Sequence, residues 1–294
     1  SHYNFQIKAG YAQYEYNFDP SIKLKTNVRY EKNSLNYNGT SDGLNQKWEK
    51  ITLPPIRFNI DHAMFGYRTA LHYLKDKFTS FYGSVSQGYK SGGVNQQPFL
   101  SDASRPYEPE FIQNFEIGLK RATKKYQTQL SAFYSLRKDQ QVSVSSQQDK
   151  ENPNSFLFYT GNAGSGTIQG FEWENTLNLS SNLNMDASLG YLTTWVNKFT
   201  YFAAEGVEAI GGDREAAMSP KMTGSVGFNF KNNSGIFGLV QMSFKDEYYF
   251  SDSHNQKSKP YTLLNINIGK SFGKTIVKLW IRNALDERYT TRGF

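Results

Sequence analysis

Side chains able to do chemistry are few here, and their spacing excludes most reactions. Four histidines, His2, His62, His72 and His254, show no ligand spacing for a metal ion, so no metal site and no cofactor is assigned. There is no cysteine, which removes thiol catalysis, thiolate metal binding and disulfides. No G-x-S-x-G elbow occurs, and no Ser/His/acid set stands out. A serine hydrolase built around His62 or His72 is the one enzymatic arrangement left open. Otherwise the reading is that of a non-enzyme with no catalytic residues. Gly92-Gly93 and Gly211-Gly212 read as loop hinges rather than phosphate cradles. The formal charge of +7 has no helix-borne basic cluster or nucleic-acid motif behind it. It suits a surface that attracts anionic headgroups or solutes.

The elements that position these residues alternate with a two-residue stroke. Leu264, Ile266 and Ile268 oppose Asn265, Asn267 and Ser271, while Phe171, Trp173 and Leu177 oppose Glu172, Glu174 and Thr176. Successive strand residues point to opposite faces, so each segment has one apolar and one strongly polar face. The same stroke is read in Ile22 to Glu31, about Phe58 to Leu74, Phe81 to Tyr89, Glu110 to Lys120, Leu130 to Leu136, Leu183 to Tyr191, Val226 to Phe230, Ile236 to Phe244 and Val277 to Arg282. In the first segment, Tyr3, Phe5, Ile7, Ala9 and Tyr11 alternate with polar residues, and the phase slips at Tyr11-Ala12. A bulge is expected there. A second irregularity, a kink or bulge, is expected at Asn283-Ala284-Leu285-Asp286.

Between strands, short turns such as Asp19-Pro20-Ser21, Thr123-Lys124-Lys125 and Asn232-Asn233-Ser234-Gly235 take turns with long polar stretches. Those stretches run over about 36–55, 90–106, 140–166, 199–219 and 246–259. The fold class is therefore all-β, an antiparallel up-and-down meander of about twelve strands. Charges such as Glu172, Glu174, Lys278 and Arg282 would cost several kcal/mol each in a dry core, whereas a wet barrel interior removes that penalty. Mean hydropathy of −0.64 does not oppose a membrane location, because outward apolar and inward polar residues cancel in the average. Aromatic residues make up 16% of the chain, which fits interfacial girdles.

The segment Asn283-Ala284-Leu285-Asp286-Glu287-Arg288-Tyr289 with Thr290-Thr291-Arg292-Gly293-Phe294 resembles the near-C-terminal segment of TonB-dependent outer-membrane receptors of the siderophore type. Ser86-Gln87-Gly88-Tyr89-Lys90-Ser91-Gly92-Gly93-Val94-Asn95 resembles a strand end of that family. So do Tyr107-Glu108-Pro109-Glu110 with Asn114, Glu116, Gly118 and Lys120, and Asn162-Ala163-Gly164 with Gly170-Phe171-Glu172. The shared order of these pieces spans the chain. The resemblance implies a transmembrane barrel of about 22 strands closed by an N-terminal plug. Residues 1–294 would be its C-terminal part, with the plug, the first strands and the last strand absent. It further implies the outer membrane of a Gram-negative bacterium, with TonB, the plug and outer-membrane lipid as partners, and no nucleic acid. The activity implied is TonB-dependent uptake of a scarce nutrient, first a ferric siderophore. Lys90, Arg105, Phe156, Tyr159, Arg214, Tyr248, Tyr249 and His254, all in long loops, would meet an anionic, aromatic-rich ferric chelate by charge and stacking. A passive porin-like channel and a soluble β-rich binding module are the alternatives.

Overall fold

Period-two alternation makes strands whose two faces differ, and the chain pairs them strictly in sequence. The computed structural model describes residues 1–44, 50–52, 54–97, 100–147, 156–204, 207–252 and 255–293. Twelve antiparallel strands form one sheet: β1 (His2–Asn17), β2 (Ile22–Gly39), β3 (Ile56–Asp76), β4 (Thr79–Lys90), β5 (Glu110–Ala122), β6 (Tyr126–Lys138), β7 (Ser165–Asn178), β8 (Leu183–Val196), β9 (Met222–Lys231), β10 (Ile236–Lys245), β11 (Tyr261–Phe272) and β12 (Thr275–Ile281). Each pairs only with its sequence neighbours, leaving β1 and β12 as the two edges. Short turns at 18–21, 77–78, 123–125, 179–182, 232–235 and 273–274 lie on one rim. Long loops at 40–55, 91–109, 139–164, 197–221 and 246–260 lie on the other.

Register carries each face across the sheet. Ile266 sits opposite Val240, Val240 opposite Phe228, Phe228 opposite Met185, and Met185 opposite Leu177, so all share the apolar face. Glu172 lies opposite Gly190 and Ser131, and Asn265 lies opposite Gln241, on the polar face. On β3 the apolar series runs from Phe65 to Tyr73. Its rise is roughly 27 Å along the strand, or about 20 Å along the membrane normal at a tilt of about 40°, close to a hydrocarbon core. Aromatic pairs mark its margins, with Tyr73 over Phe81 at 6.3 Å and Phe171 over Tyr191 at 5.8 Å between ring centroids. Lipid offers no hydrogen-bond partner, and the outward indole of Trp173 finds one within the sheet, donating to Thr128 Oγ1 at 3.0 Å.

The opposite face is a polar web. Lys25 Nζ lies 2.9 Å from Glu15 Oε1, Tyr82 donates to Glu116 Oε1 at 2.6 Å, and Ser135 donates to Asn114 Oδ1 at 2.7 Å. His72 stands against Tyr82 on this face, and His62 approaches the Glu108 carboxylate at 3.5 Å near the loop rim.

Four expectations are corrected. No bulge interrupts β1, because residues 2–17 pair one-to-one with 38–23. What changes at Tyr11-Ala12 is the surroundings. Below it the apolar side chains, Ala12, Tyr14 and Tyr16, share the outward face with Val28 and Leu24. Above it, Tyr3, Phe5 and Ile7 share the inward face with Tyr37, Leu35 and Asn33. There Leu35, Tyr37, Ile56 and Val94 form a small buried core beyond the membrane belt. Tyr89, placed outward by its spacing, instead leans over Gly66. The β3–β4 pairing stops at Tyr67 and Gln87, which frees the end of β4. The Tyr89 hydroxyl accepts from Arg29 Nε at 3.0 Å and donates to Glu31 Oε2 at 3.3 Å. At the far end, β12 stops at Ile281 and Asn283 builds a turn rather than a bulge. Its φ is 50°, and its side chain accepts from Glu287 N at 3.0 Å and donates to Glu287 O at 2.9 Å. Gly92 and Gly93 are packing positions rather than hinges, since a Cβ at either would collide with Tyr107.

Candidate functional site

The long loops are polar in composition, yet they are neither short of structure nor independent of one another. Within 139–164, Gln141–Gln147 pairs with Phe156–Asn162, and within 197–221, Phe199–Ala204 pairs with Val207–Gly211. Strand structure thus continues above the apolar belt of the main sheet. Apolar residues there meet in a second core of Leu100, Val142, Val144, Tyr159, Ala163, Val196 and Phe199, drawn from three consecutive loops and the top of β8. Burying Tyr159 and Phe199 contributes on the order of 2 kcal/mol each.

Amide side chains clamp this layer. Asn95, 6% exposed, donates to Thr160 O at 2.8 Å, and its Oδ1 accepts from Thr160 N at 2.8 Å. The same Nδ2 lies 3.1 Å from both Ser104 O and Arg105 O. Asn162 repeats the device, accepting from Glu108 N at 2.8 Å and donating to Glu108 O at 3.1 Å. Gln141 Nε2 reaches Ser91 O at 2.9 Å and Glu108 O at 3.0 Å. Glu110 accepts from Arg137 Nε at 2.6 Å and from Gln141 N at 3.0 Å. An Asn or Gln side chain presents an acceptor and donors like a peptide unit, so each clamp extends a sheet-like pairing between loops.

The final two long loops are joined in turn. Met218 N donates to Tyr249 O at 2.8 Å and Ala217 N to Asp252 Oδ1 at 2.9 Å. Arg214 Nη1 donates to Asn255 Oδ1 at 2.6 Å, and Nη2 donates to Ser251 O. At this junction the Tyr249 ring has the Arg214 guanidinium and the Lys257 ammonium each 4.4 Å from its centroid. Lys257 is also 2.8 Å from Glu247 Oε1, and Lys221 is 2.6 Å from Glu215 Oε1. The hydrogen bond to its carboxylate raises the pKa of each lysine above the ordinary range. Tyr248, 5% exposed, packs edge-on to Phe250 at 5.8 Å, and its backbone N donates to Ser258 Oγ.

The eight residues singled out from sequence therefore divide. Arg214 and Tyr249 come together in one cluster, whereas the neighbouring Tyr248 is buried against Phe250 and does not join it. Lys90 is exposed at the end of β4, opposite Glu110. Arg105 is 3% exposed and held inside its own loop by Asp102 Oδ1 at 3.1 Å and Gln97 O at 2.7 Å, while Tyr159 belongs to the loop core. The backbone of Phe156 starts a loop strand, and its side chain lies outside what is described, as does His254 altogether. Sequence reasoning passed over Lys257, Asn95, Gln141 and Asn162 as site residues. Two of these, Asn95 and Asn162, sit inside the motifs that carry the family resemblance.

Comparison with known proteins agrees in fold and family. A model of the TonB dependent receptor-like, beta-barrel family matches residues 1–284. The pesticin receptor of Yersinia pestis is 22% identical over 247 residues, which are 80% of this chain and 33% of the receptor. The ferric yersiniabactin uptake receptor FyuA from Yersinia pestis superposes with a TM-score of 0.79 at 17% identity, over 99% of this chain and 42% of that one. The siderophore receptor PiuA from Acinetobacter baumannii gives a TM-score of 0.76 at 17% identity, over 99% and 40%. The chain thus spans well under half the length of these relatives.

Proposed function

The chain belongs to the TonB-dependent receptor β-barrel family, and from that premise we propose that it is the cargo-facing part of an active transporter for a ferric chelate, first a siderophore. Its site is the outer membrane of a Gram-negative bacterium, in a family of receptors and transporters rather than enzymes. In this reading residues 1–294 are a partial barrel. The plug, the TonB-contacting segment and the remaining strands belong to other parts of the full-length protein. The two unpaired edges of the sheet, β1 and β12, favour that reading, since lipid cannot satisfy open edges.

The observation that carries the proposal is the joined loop layer with the Arg214–Tyr249–Lys257 cluster at its edge. Its cations are held by neighbouring groups, Lys257 by Glu247 and Arg214 by Asn255 and Ser251 O, so an anionic chelate enters by exchanging partners. Such exchange gives reversible capture at a rim from which cargo must later be released. The polar inner face below provides a wet wall along which a chelate passes without being desolvated.

The test is uptake of ferric catecholate, phenolate and hydroxamate chelates, with cobalamin as a control, by cells with and without the full-length gene. A Lys257→Gln/Tyr249→Leu variant is run beside them. The expectation is energy-dependent accumulation of one iron chelate class, with the apparent affinity about five- to tenfold weaker in the variant, the span of about 1–1.4 kcal/mol. Accumulation that persists after the inner-membrane gradient is dissipated overturns active transport in favour of a passive channel.

A further inference from the structure

Above the apolar belt the wall is forked. β3 and β4 pair only up to Tyr67 and Gln87, while β3 itself reaches on to Ile56 and β4 to Lys90. Two bodies flank the fork. One is the upper part of β1, β2 and β3, whose mutual pairing is unbroken out to His2, Gly39 and Ile56. The other is the end of β4, paired with β5 as far as Lys90 and Glu110. It continues into the loop layer, which Gln141 ties to Ser91 and Asn95 ties to Thr160.

Side chains make the joins across the fork, where strand pairing has stopped. Tyr89 crosses from β4 to Arg29 and the buried Glu31 of β2. Asn33 Nδ2 donates to Ser91 Oγ at 2.9 Å, Gln87 Nε2 donates to Phe65 O at 2.9 Å, and His62 faces Glu108. Val94, from the loop, is buried against Leu35, Tyr37 and Ile56 of the other body. A handful of side-chain contacts is a weaker join than the ladders on either side, so local opening is easiest here. Closure also leaves Asn33 Oδ1 buried without a hydrogen-bond partner among the described residues, which exposure to water relieves. At the foot of the fork, Tyr11, Arg29, Arg68 and Tyr89 line a groove of about 650 Å³ on the polar face.

We propose that the fork is a gate: the upper β1–β3 body swings away from the loop layer about Tyr67 and Gln87, and Tyr89 is the pin that holds it shut. Arg29 is the trigger. Its guanidinium is half exposed to the groove while it bonds both Glu31 and Tyr89. An anion arriving in the groove competes with Glu31 for Arg29 and so removes one of the two partners of the Tyr89 hydroxyl. That the gate serves uptake rests on the proposed transport, whereas the opening of the fork does not.

The experiment uses the full-length protein, cleared of any other thiol, with folding checked by heat-modifiable gel mobility. A single Val94→Cys, buried in the join, is compared with a single Val142→Cys, buried in the loop core, for its rate of reaction with a maleimide. Tyr89→Phe and Arg29→Gln should each raise the rate at position 94 about tenfold, equivalent to about 1.4 kcal/mol of closure, and leave the rate at 142 unchanged. In cells, a short reducible bis-thiosulfonate linking Asn33→Cys to Ser91→Cys should cut accumulation of ferric catecholate, phenolate or hydroxamate at least tenfold, with recovery on reduction. The same reagent linking Asn36→Cys to Asn59→Cys, which lie within one body, should leave accumulation intact. A position 94 that responds no more than 142 overturns the fork as a point of opening. Opening at 94 with accumulation undiminished by the link from 33 to 91 overturns the gate. Wild-type cells that accumulate none of the chelates overturn the transport instead, and the labelling rates still decide the fork.

Discussion

Replacing Asn95 with Ala should loosen the loop layer without touching the barrel. The substitution strips Thr160 N of its acceptor and Thr160 O of its donor, at a position that is 6% exposed. Ser104 O also loses a donor, while Arg105 O keeps its bond from the backbone N of position 95 at 2.7 Å. A buried donor left without a partner costs about 1–3 kcal/mol, and a carbonyl on the low side of that range, so the local loss is about 3 kcal/mol. Local opening at Thr160 then becomes about a hundredfold more frequent. Hydrogen–deuterium exchange of a peptide covering 156–163 reads this directly. Peptides from β6 and β7 should keep wild-type protection. Asn95→Asp keeps the acceptor for Thr160 N but loses the donations, so its exchange should fall between, about tenfold faster than wild type. Unchanged protection in Asn95→Ala would refute the clamp, and equal loss across β6 and β7 would refute the separation of loop layer from barrel.

Further expectations follow from the same geometry. Glu110→Ala leaves the Arg137 guanidinium without its carboxylate and Gln141 N without an acceptor, at a site where both charged side chains are mostly buried, 21% exposed for the arginine and 11% for the glutamate. Loss of one buried partner costs about 3–5 kcal/mol, so the 139–164 loop should become protease-sensitive, with Glu110→Gln intermediate. The raised pKa of Lys257 means that its bond to Glu247 stabilises the loop junction fully below the unfolded lysine value of 10.5 and fades as pH climbs through the higher folded value. Exchange protection at 247–252 should therefore hold from neutral pH to about pH 10 and fall above it, and Lys257→Gln should abolish that step. Tyr249→Leu, which removes the ring beneath both cations, should loosen the same junction by about 1 kcal/mol at neutral pH.

Much of this architecture is legible from side-chain alternation alone. The outward series on β3 and β5 to β11, the short turns and the long loops need only a period of two and turn residues. The limits of that reading are physical. A phase change at Tyr11-Ala12 looks identical whether the backbone slips or the apolar environment moves from lipid to a loop core, and only pairing separates the two. Arg105 and Tyr159 have the residue types of ligand contacts, but type says nothing of Asp102 and Gln97 close by, or of a core drawn from three loops. Asn95 and Asn162 stand in recognisable motifs, yet their work lies in bonds to Thr160 and Glu108, residues 65 and 54 positions away. Hydrophobic alternation at Val142 and Val144, and at Phe199 and Tyr201, is a usable signal for the loop hairpins. Their polar surroundings mask it.

Opposite faces of one strand supply the most direct measurement. Residues 1–294 hold no cysteine, so in the full-length protein, cleared of any thiol elsewhere, Ile266→Cys and Asn265→Cys give single labels one residue apart on β11. In lipid vesicles, a fluorophore attached at position 266 should be quenched strongly by brominated acyl chains and little by aqueous iodide. One attached at position 265 should show the reverse. Equal quenching of both labels by the same agent, or lipid quenching confined to position 265, would contradict a wall whose apolar side meets the membrane and whose polar side encloses water.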